Sequence, residues 1–177
     1  IAQPEGMVLI PAGEFWMGTE DGMQDARPLH RVYLSSYWFD KYEATNAQYR
    51  QCMEGGACTL PKDRMTFEDL HRAQHPVTNI TWNQARSFCQ WQGKRLPTEA
   101  EWEKAARGTD GRRYPWGNDE EIAKRYMKNR HLMADTNGAE PVGRQVATSS
   151  PYGVFDLIGS LSEWVKDWYA EDFYQTS

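Results

Sequence analysis

The sequence predicts a single α+β domain in which a few short strands and helices are joined by long ordered loops. Strand-like segments occur near the N terminus, three strong helix-start signals follow, and few regular signals are found after residue 108. The chain also contains 8 Trp, 9 Tyr and 6 Phe, and such large rings can fill a core that has little regular structure. Its 14 Gly and 9 Pro are typical of loop-rich chains. Because 177 residues can bury one sizeable core and no repeat or linker divides them, we predict one domain over residues 1–177.

The first 40 residues are expected to supply the strands. Residues 7–18 predict a strand, a turn and a second strand, with Pro11 and Gly13 in the turn. Residues 18–28 are polar and are expected to form a loop. Residues 30–39 predict a further strand region. Its expected apolar anchors are Val32, Leu34 and Tyr37.

Three helices are predicted, and each begins with a capping box. In this motif a Thr hydroxyl accepts a hydrogen bond from a backbone amide one turn on, and a Gln or Glu side chain reaches back. The boxes span residues 45–48, 81–84 and 98–101. The helices are expected at about 46–54, 82–92 and 99–107, ending at a left-handed Gly55, Gly93 and Gly108. A weaker helix is predicted from Phe67 to Ala73.

Two of these helices have a recognisable apolar face. The second places Trp82, Ala85 and Cys89 on one stripe, with Phe88 beside it. The third is expected to turn Trp102, Ala105 and Ala106 inward. These faces predict where the helices pack on the core.

The three cysteines predict one disulfide and one free thiol. Cys52 and Cys58 frame a short loop that contains two glycines, so that a disulfide between them is geometrically plausible. Zinc is the competing interpretation, but no second cysteine pair or histidine pair completes four ligands. A disulfide favours an oxidising compartment. Cys89 lies on an apolar helix face and is expected to be a buried free thiol.

Charge and hydropathy exclude two broad classes of partner. A net charge of -5 argues against a nucleic-acid surface, because phosphate contacts need clustered Lys and Arg. No apolar run approaches membrane-spanning length, so no transmembrane segment is expected. No signal peptide is visible, and the chain begins at Ile1, which is compatible with removal of a leader. The location follows from the predicted disulfide, which leads us to expect a periplasmic or secreted protein.

Several ordered motifs resemble those of one family. The longest is GKRLPTEAEWE at residues 93–103. The others are VLIPAG at 8–13, EATN at 43–46, HPVT at 75–78, Thr81-Trp82, AARG at 105–108, YPWG at 114–117, PVG at 141–143 and YGVFD at 152–156. In this order they resemble the formylglycine-generating-enzyme, or sulfatase-modifying-factor, family over nearly the whole chain. The resemblance implies an α+β fold that is C-type-lectin-like and has little regular secondary structure.

The resemblance also bears on catalysis. Enzymes of this family convert a cysteine of a client sulfatase to formylglycine, using oxygen and a copper ion held by two cysteines in a C-terminal segment. This chain ends at Ser177 before any matching segment, and its three cysteines do not occupy those positions. We therefore expect no copper in this chain and a non-catalytic binding or accessory module of a protein assembly. The alternative is a formylglycine-generating enzyme whose catalytic C-terminal part lies outside this chain, and whose partner is a client polypeptide.

Structural calcium is the cofactor that the resemblance implies. Asp156, Gly159, Leu161 and Glu163 match family positions that bind calcium through two side chains and two carbonyls. Asn129, Arg130, Asp135 and Asn137 resemble the family's second calcium site, with a spacing one residue shorter than in some relatives. Calcium prefers such mixtures of carboxylate and backbone oxygens. The alternative is that these residues only cap turns. The family usually has Asn and Trp where this chain has Ser160 and Ser162, which removes none of the ligands.

Other polar groups have simpler structural interpretations. Arg95 is expected to form a fold-locking ion pair with Glu99 or Glu103 rather than a catalytic couple. Glu163 and Asp167 could be taken for a glycosidase carboxylate pair, but two acids in a loop-rich aromatic chain are weak support for that chemistry.

Two histidines are also spaced like a metal pair. His71 and His75 are four residues apart and would share one face of a helix. Pro76 ends any helix there, so a surface role is the expected one.

Overall fold

The computed structural model describes residues 2–125, 140–170 and 174 as a mixed α+β fold with little regular secondary structure, as predicted. The strands are β1 (Met7–Ile10), β2 (Gly13–Met17), β3 (His30–Leu34) and β4 (Tyr37–Asp40). The helices are α1 (Asn46–Glu54), α2 (Arg64–Glu68), α3 (Trp82–Trp91) and α4 (Glu99–Arg107). Short 3₁₀ turns occur at Gln24–Ala26, Leu70–Arg72 and Val146–Thr148. No helix in these described ranges is both long and apolar enough to cross a membrane.

The four strands form two separate two-stranded antiparallel sheets. β1 pairs with β4, and β2 pairs with β3. The predicted turn at Pro11 therefore connects two sheets instead of closing a hairpin. Lys104 of α4 fixes this turn, because its ammonium group donates hydrogen bonds to the carbonyls of Pro11 and Gly13 at 2.9 and 2.8 Å.

The three predicted helices and their capping boxes are confirmed. In each box the Thr hydroxyl accepts from the third helical amide, and the Gln or Glu side chain accepts from the amide of the Thr. Gly93 and Gly108 have the expected positive φ, at 71° and 68°. The expectation for Gly55 is wrong: its φ is -74°, and its amide still donates to the carbonyl of Gln51 as in a helix. The left-handed residue is Gly56, with a φ of 74°.

Residues 67–73, which were predicted as one weaker helix, instead form the end of one helix and a separate 3₁₀ turn. α2 ends at Glu68, and a separate 3₁₀ turn covers Leu70–Arg72. Asp63 caps α2 by accepting from the amide of Thr66, whereas Asp69 accepts from the amide of His71. The second Asp side chain thus competes with the helical backbone and starts a new turn.

Three clusters of buried side chains form the core. The inward face of α4 is confirmed, since Ala105 and Ala106 are buried against Val8 and Ile10 of β1. α3 buries Ala85 and Phe88 as predicted. Cys89 is a free thiol but only partly buried, which corrects the expectation of full burial. The reason is its position on the wall of an open cavity described below.

The predicted disulfide between Cys52 and Cys58 is present. The two Cα atoms are 5.3 Å apart, and the amides of Ala57 and Cys58 both donate to the carbonyl of Cys52. The bridge lies in the core cluster that contains Tyr49 and Phe67. It ties the end of α1 to the loop that follows.

The double variant Cys52→Ala/Cys58→Ala is expected to lose about 2 kcal/mol of unfolding free energy, because the bridge closes a short loop of sequence separation 6. Denaturant unfolding measures this loss, and Cys89→Ser serves as the single-cysteine control. Alkylation of the denatured, non-reduced protein should label Cys89 alone in a mass spectrum. Three labelled thiols would show that the bridge does not form in solution.

The ion pair predicted for Arg95 uses a different partner. Its guanidinium donates two hydrogen bonds to the carboxylate of Glu101, both at 2.6 Å. Glu101 is the capping-box residue of α4, so its side chain already turns back toward residues 95–98. Glu103 instead pairs with Arg107 and accepts from the amide of Gly18. The 93–103 motif therefore locks the fold, as expected, but through Glu101 rather than Glu99 or Glu103.

Candidate functional site

An open cavity of about 990 Å³ lies between β4, α3 and the segment around residues 154–164. All four residues of β4 line it, as do Phe88 and Cys89 of α3. Apolar side chains form much of the wall, and the polar groups are concentrated at residues 40–43, 94–95 and 160–163. A concave apolar surface with a few convergent polar groups is the usual form of a binding site.

Among the described residues that line this cavity, the two basic groups are already paired. The ammonium group of Lys94 lies 2.8 Å from the carboxylate of Asp40, and Arg95 is bound by Glu101. Burial alone would raise the pKa of Glu101, but hydrogen bonds from Arg95 and Thr98 outweigh it and hold that pKa below its usual value. Neither cation is therefore available to neutralise the other acids of the cavity.

Glu43 is a site residue that the sequence analysis missed. Both of its carboxylate oxygens are buried, and neither accepts a hydrogen bond from any described residue. Desolvation raises the pKa of Glu43 to about 8, and the nearby charge of Glu163 adds to this effect. The hydroxyl of Ser160 and the amide of Leu161 lie close enough to oppose the rise, although neither makes a hydrogen bond of normal geometry. A buried acid without a counter-charge is held mainly in its neutral form, unless a cation or a hydrogen-bond donor compensates its charge.

The sequence did contain a signal for Glu43. It opens the EATN motif at residues 43–46, immediately before the capping box of α1. Glu43 lines the cavity together with residues 160–163, which lie far from it in the sequence. Sequence spacing alone therefore does not connect Glu43 with the predicted ligands.

Glu163 lies beside Glu43 in the cavity wall. One of its carboxylate oxygens accepts a hydrogen bond from the indole nitrogen of Trp102 at 2.9 Å. Desolvation around the carboxylate, together with the charge of Asp156, raises the pKa of Glu163 to about 7. The residue as a whole nevertheless remains exposed, so the desolvation is confined to the carboxylate.

Asp156 is a buried acid whose charge affects both Glu43 and Glu163, and the three residues are called the acidic cluster below. Its carboxylate accepts from the amide of Gly143, and desolvation raises its pKa above the usual value. Its φ of 61° is left-handed, a conformation that Asp and Asn adopt more readily than most residues. Gly159 also has a positive φ, at 86°, so the chain turns sharply between Asp156 and the cavity-lining residues Leu161 and Glu163.

The predicted calcium ion at Asp156, Gly159, Leu161 and Glu163 stays a prediction. Asp156 and Glu163 both influence the titration of Glu43, so the three carboxylates share one electrostatic environment. No group of three or more His, Cys, Asp or Glu side chains that could hold a metal ion occurs within residues 2–125, 140–170 and 174, so His71 and His75 belong to no such group either. A calcium ion here would therefore draw on backbone carbonyls as well as carboxylates.

Other predicted site residues fall elsewhere. Asn129, Arg130, Asp135 and Asn137 lie outside the described residues. Asp167 accepts a hydrogen bond from the amide of Glu99 and so caps the start of α4. Since Glu163 is held by Trp102 instead, the two acids serve different structural roles and the glycosidase interpretation gains no support.

Cys89 is poorly suited to nucleophilic chemistry. Desolvation and the charge of Asp40 raise the pKa of this thiol to about 11. It is therefore protonated near neutral pH, whereas the thiolate is the reactive and metal-binding form.

Comparison with known proteins places these features in context. The family model described as the sulfatase-modifying factor enzyme 1-like domain matches residues 2–176. A serine/threonine-protein kinase, pkn1, of Chlamydia pneumoniae is 37% identical over 97% of this chain, which spans 29% of that kinase. The formylglycine-generating enzyme of Bos taurus is 32% identical over 94% of this chain, which spans 59% of that enzyme.

A solved structure shares the fold. PvdO from Pseudomonas aeruginosa superimposes with a TM-score of 0.73 at 23% identity, covering 96% of this chain and 73% of that protein. The architecture of short sheets, capped helices and long loops is thus a recurrent one. Because the similar proteins include a serine/threonine-protein kinase and a formylglycine-generating enzyme, fold alone does not specify activity.

Proposed function

Because the chain belongs to the sulfatase-modifying factor enzyme 1-like family, we propose that it is a non-catalytic binding or accessory module of an extracytoplasmic protein assembly. The cavity of about 990 Å³ is the observation that carries this proposal. It has the size and the mixed lining of a ligand-binding site. The partner in this proposal is a protein.

The cysteines support a non-catalytic role for these residues. Copper held by two cysteines requires two free thiolates at one site. Of the three cysteines in the sequence, Cys52 and Cys58 are joined in a disulfide, and the thiol of Cys89 is held protonated. These three cysteines therefore do not supply the two free thiolates of such a copper site.

The disulfide supports the proposed location. Disulfides persist in the periplasm and outside the cell, whereas the cytosol keeps most thiols reduced. The Cys52–Cys58 bridge is buried in the core and would be retained as a structural element there. The proposed compartment is thus the periplasm or the secreted environment.

Structural calcium is part of the same proposal. The side chains of Asp156 and Glu163 and the carbonyls of Gly159 and Leu161 would hold the ion, with Glu43 as a further carboxylate ligand. When bound, the ion would neutralise charges that burial otherwise makes unfavourable. A second calcium ion at Asn129, Arg130, Asp135 and Asn137 remains a proposal that rests on the family resemblance.

Incubation with a sulfatase-derived cysteine peptide, copper and oxygen is expected to leave the peptide unchanged. The physical reason is the missing pair of free thiolates. Mass spectrometry of the peptide detects the aldehyde product, and an active formylglycine-generating enzyme provides the positive control. Aldehyde formation that depends on this chain and is lost in Cys89→Ser would overturn the non-catalytic proposal.

The second candidate function is formylglycine generation by a longer protein that contains this chain. The 32% identity to the Bos taurus enzyme favours it. In that case two further cysteines would come from outside the present residues. The same peptide assay on the longest natural form of the protein separates the two functions, because only the enzyme produces copper-dependent aldehyde.

A further inference from the structure

Residues 163–168 contact the N-terminal ends of both α3 and α4 without forming a helix or a strand, and this segment is called the strap below. Each residue of the strap makes one contact with one of these two ends. The contacts join Glu163 to Trp102, Trp164 to Ile80, Val165 to Trp82, Lys166 to Pro97, Asp167 to Glu99 and Trp168 to Trp82. The strap therefore links the start of α3 to the start of α4.

Hydrogen bonds rather than apolar burial hold the strap. The indole nitrogen of Trp82 donates to the carbonyl of Val165 at 2.8 Å, and the amide of Glu99 donates to the carboxylate of Asp167 at 2.7 Å. Within the described part of the chain, no strap residue belongs to the three clusters of buried side chains, and Trp168 is 89% exposed. Segments with exposed hydrogen bonds and few buried apolar contacts open at a lower free energy than a core. We therefore expect the strap to open while the core stays folded.

Neighbouring contacts of the strap support one another. Consecutive Cα atoms are about 3.8 Å apart, so a broken contact stays within reach of its partner while the contacts on both sides hold. Closing so short a loop again costs little entropy. The contacts to α3 and to α4 are also interleaved along the strap, so that it cannot leave one helix start and stay on the other. Opening therefore requires that the contacts break together.

We propose that the strap opens and closes as one unit, independently of the core, and that each opening removes Glu163 and Trp164 from the cavity wall. The inference goes beyond the proposed function, because it concerns how the wall is held and not what the cavity binds. A wall that is complete only in the closed form lowers the apparent affinity for any ligand in proportion to the closed fraction. The contacts at the starts of α3 and α4 thus set how often Glu163 is in place.

Hydrogen exchange measured by NMR in calcium-free buffer tests this proposal. Five protons each report one contact of the strap, namely the indole protons of Trp82, Trp102 and Trp164 and the amide protons of Glu99 and Lys166. Their protection factors are expected to agree within about tenfold, because one opening exposes all of them. The amide of Tyr49, which donates to the carbonyl of Thr45 in the buried part of α1, reports the core and should be protected at least about a hundredfold more.

Two variants test the coupling from separate contacts. Asp167→Ala removes the acceptor of the Glu99 amide and is expected to speed exchange of the Trp102 indole, at the other end of the strap, by about tenfold. Trp82→Phe removes the donor to Val165 and should speed exchange of the Glu99 amide by a similar factor. The matched control is Trp91→Phe, which makes the same change at the last residue of α3 and should leave the strap protons unaffected.

Three results would overturn the proposal. Protection factors spread over more than about tenfold, or an effect of Asp167→Ala confined to the Glu99 amide, would show that the contacts break one at a time. Protection of all five strap protons equal to that of the Tyr49 amide would show that the strap opens only with the core. Each failure is distinguishable from failure of the proposed function, because the aldehyde assay is independent of hydrogen exchange.

Discussion

Removal of calcium is expected to lower the Tm of this protein by about 5–10 °C. A ligand in hundredfold excess over its Kd stabilises the native state by roughly 2.7 kcal/mol. For a chain of 177 residues, each kcal/mol corresponds to roughly 2–4 °C. Differential scanning calorimetry in calcium buffer and in EGTA measures the shift directly. Magnesium at the same concentration should restore little of it, because magnesium prefers a compact octahedral site and retains its water.

Substitutions at Glu43, Asp156 and Glu163 test where the calcium ion binds. Glu163→Gln and Glu43→Gln are each expected to reduce the EGTA-induced shift to below about 2 °C, because each removes a charged ligand. Without calcium, Glu43→Gln should be at least as stable as the parent protein, since its buried carboxylate has no hydrogen-bond partner among the described residues. Asp156→Asn is the suitable change at that position, because Asn tolerates the left-handed φ of 61°.

The control for this series is Glu5→Gln. Glu5 is exposed near the N terminus and does not line the cavity, so its replacement should leave the shift intact. If EGTA has no effect on Tm, the acids serve only as turn caps and the calcium proposal is wrong. If the shift persists in all three cluster variants, calcium binds elsewhere, and Asn129 and Asp135 would become the residues to replace.

Lys104→Met is expected to cost about 3 kcal/mol of unfolding free energy. Lys104 is fully buried, and its ammonium group supplies the hydrogen bonds to the carbonyls of Pro11 and Gly13 at 2.9 and 2.8 Å. Met has a similar length but no donor, so both carbonyls lose their partner, at about 1–3 kcal/mol for each unsatisfied group. The turn that connects the two sheets would lose its anchor to α4.

Denaturant unfolding measures this loss, and Lys124→Met is the matched control. Lys124 is exposed, and within the described part of the chain its ion pair is with the exposed Glu121. Such surface pairs contribute about 0–1 kcal/mol. A loss below about 1 kcal/mol for Lys104→Met would mean that water replaces the ammonium group, and that the turn does not depend on it.

The helices were predictable because their start signals are local. In each capping box the partners are three residues apart, so that Thr and Gln or Glu determine the helix start without help from the rest of the chain. The Cys52–Cys58 bridge was predictable for the same reason, since its sequence separation is 6. The helix prediction from local sequence was wrong where two short-range signals compete. This occurs at Asp69, which ends one helical segment and begins another.

The candidate site depended on contacts between distant segments. The family resemblance indicated Asp156 and Glu163, but only the tertiary structure places Glu43 near them. It likewise selects Glu101 for Arg95 and pairs β1 with β4 instead of β2. For the charged residues, burial decides which groups need a partner, because the free energy of a charged group depends on which chain segments exclude water from it. The sequence by itself determined where the helices begin, and the tertiary structure decided which acids lack a partner.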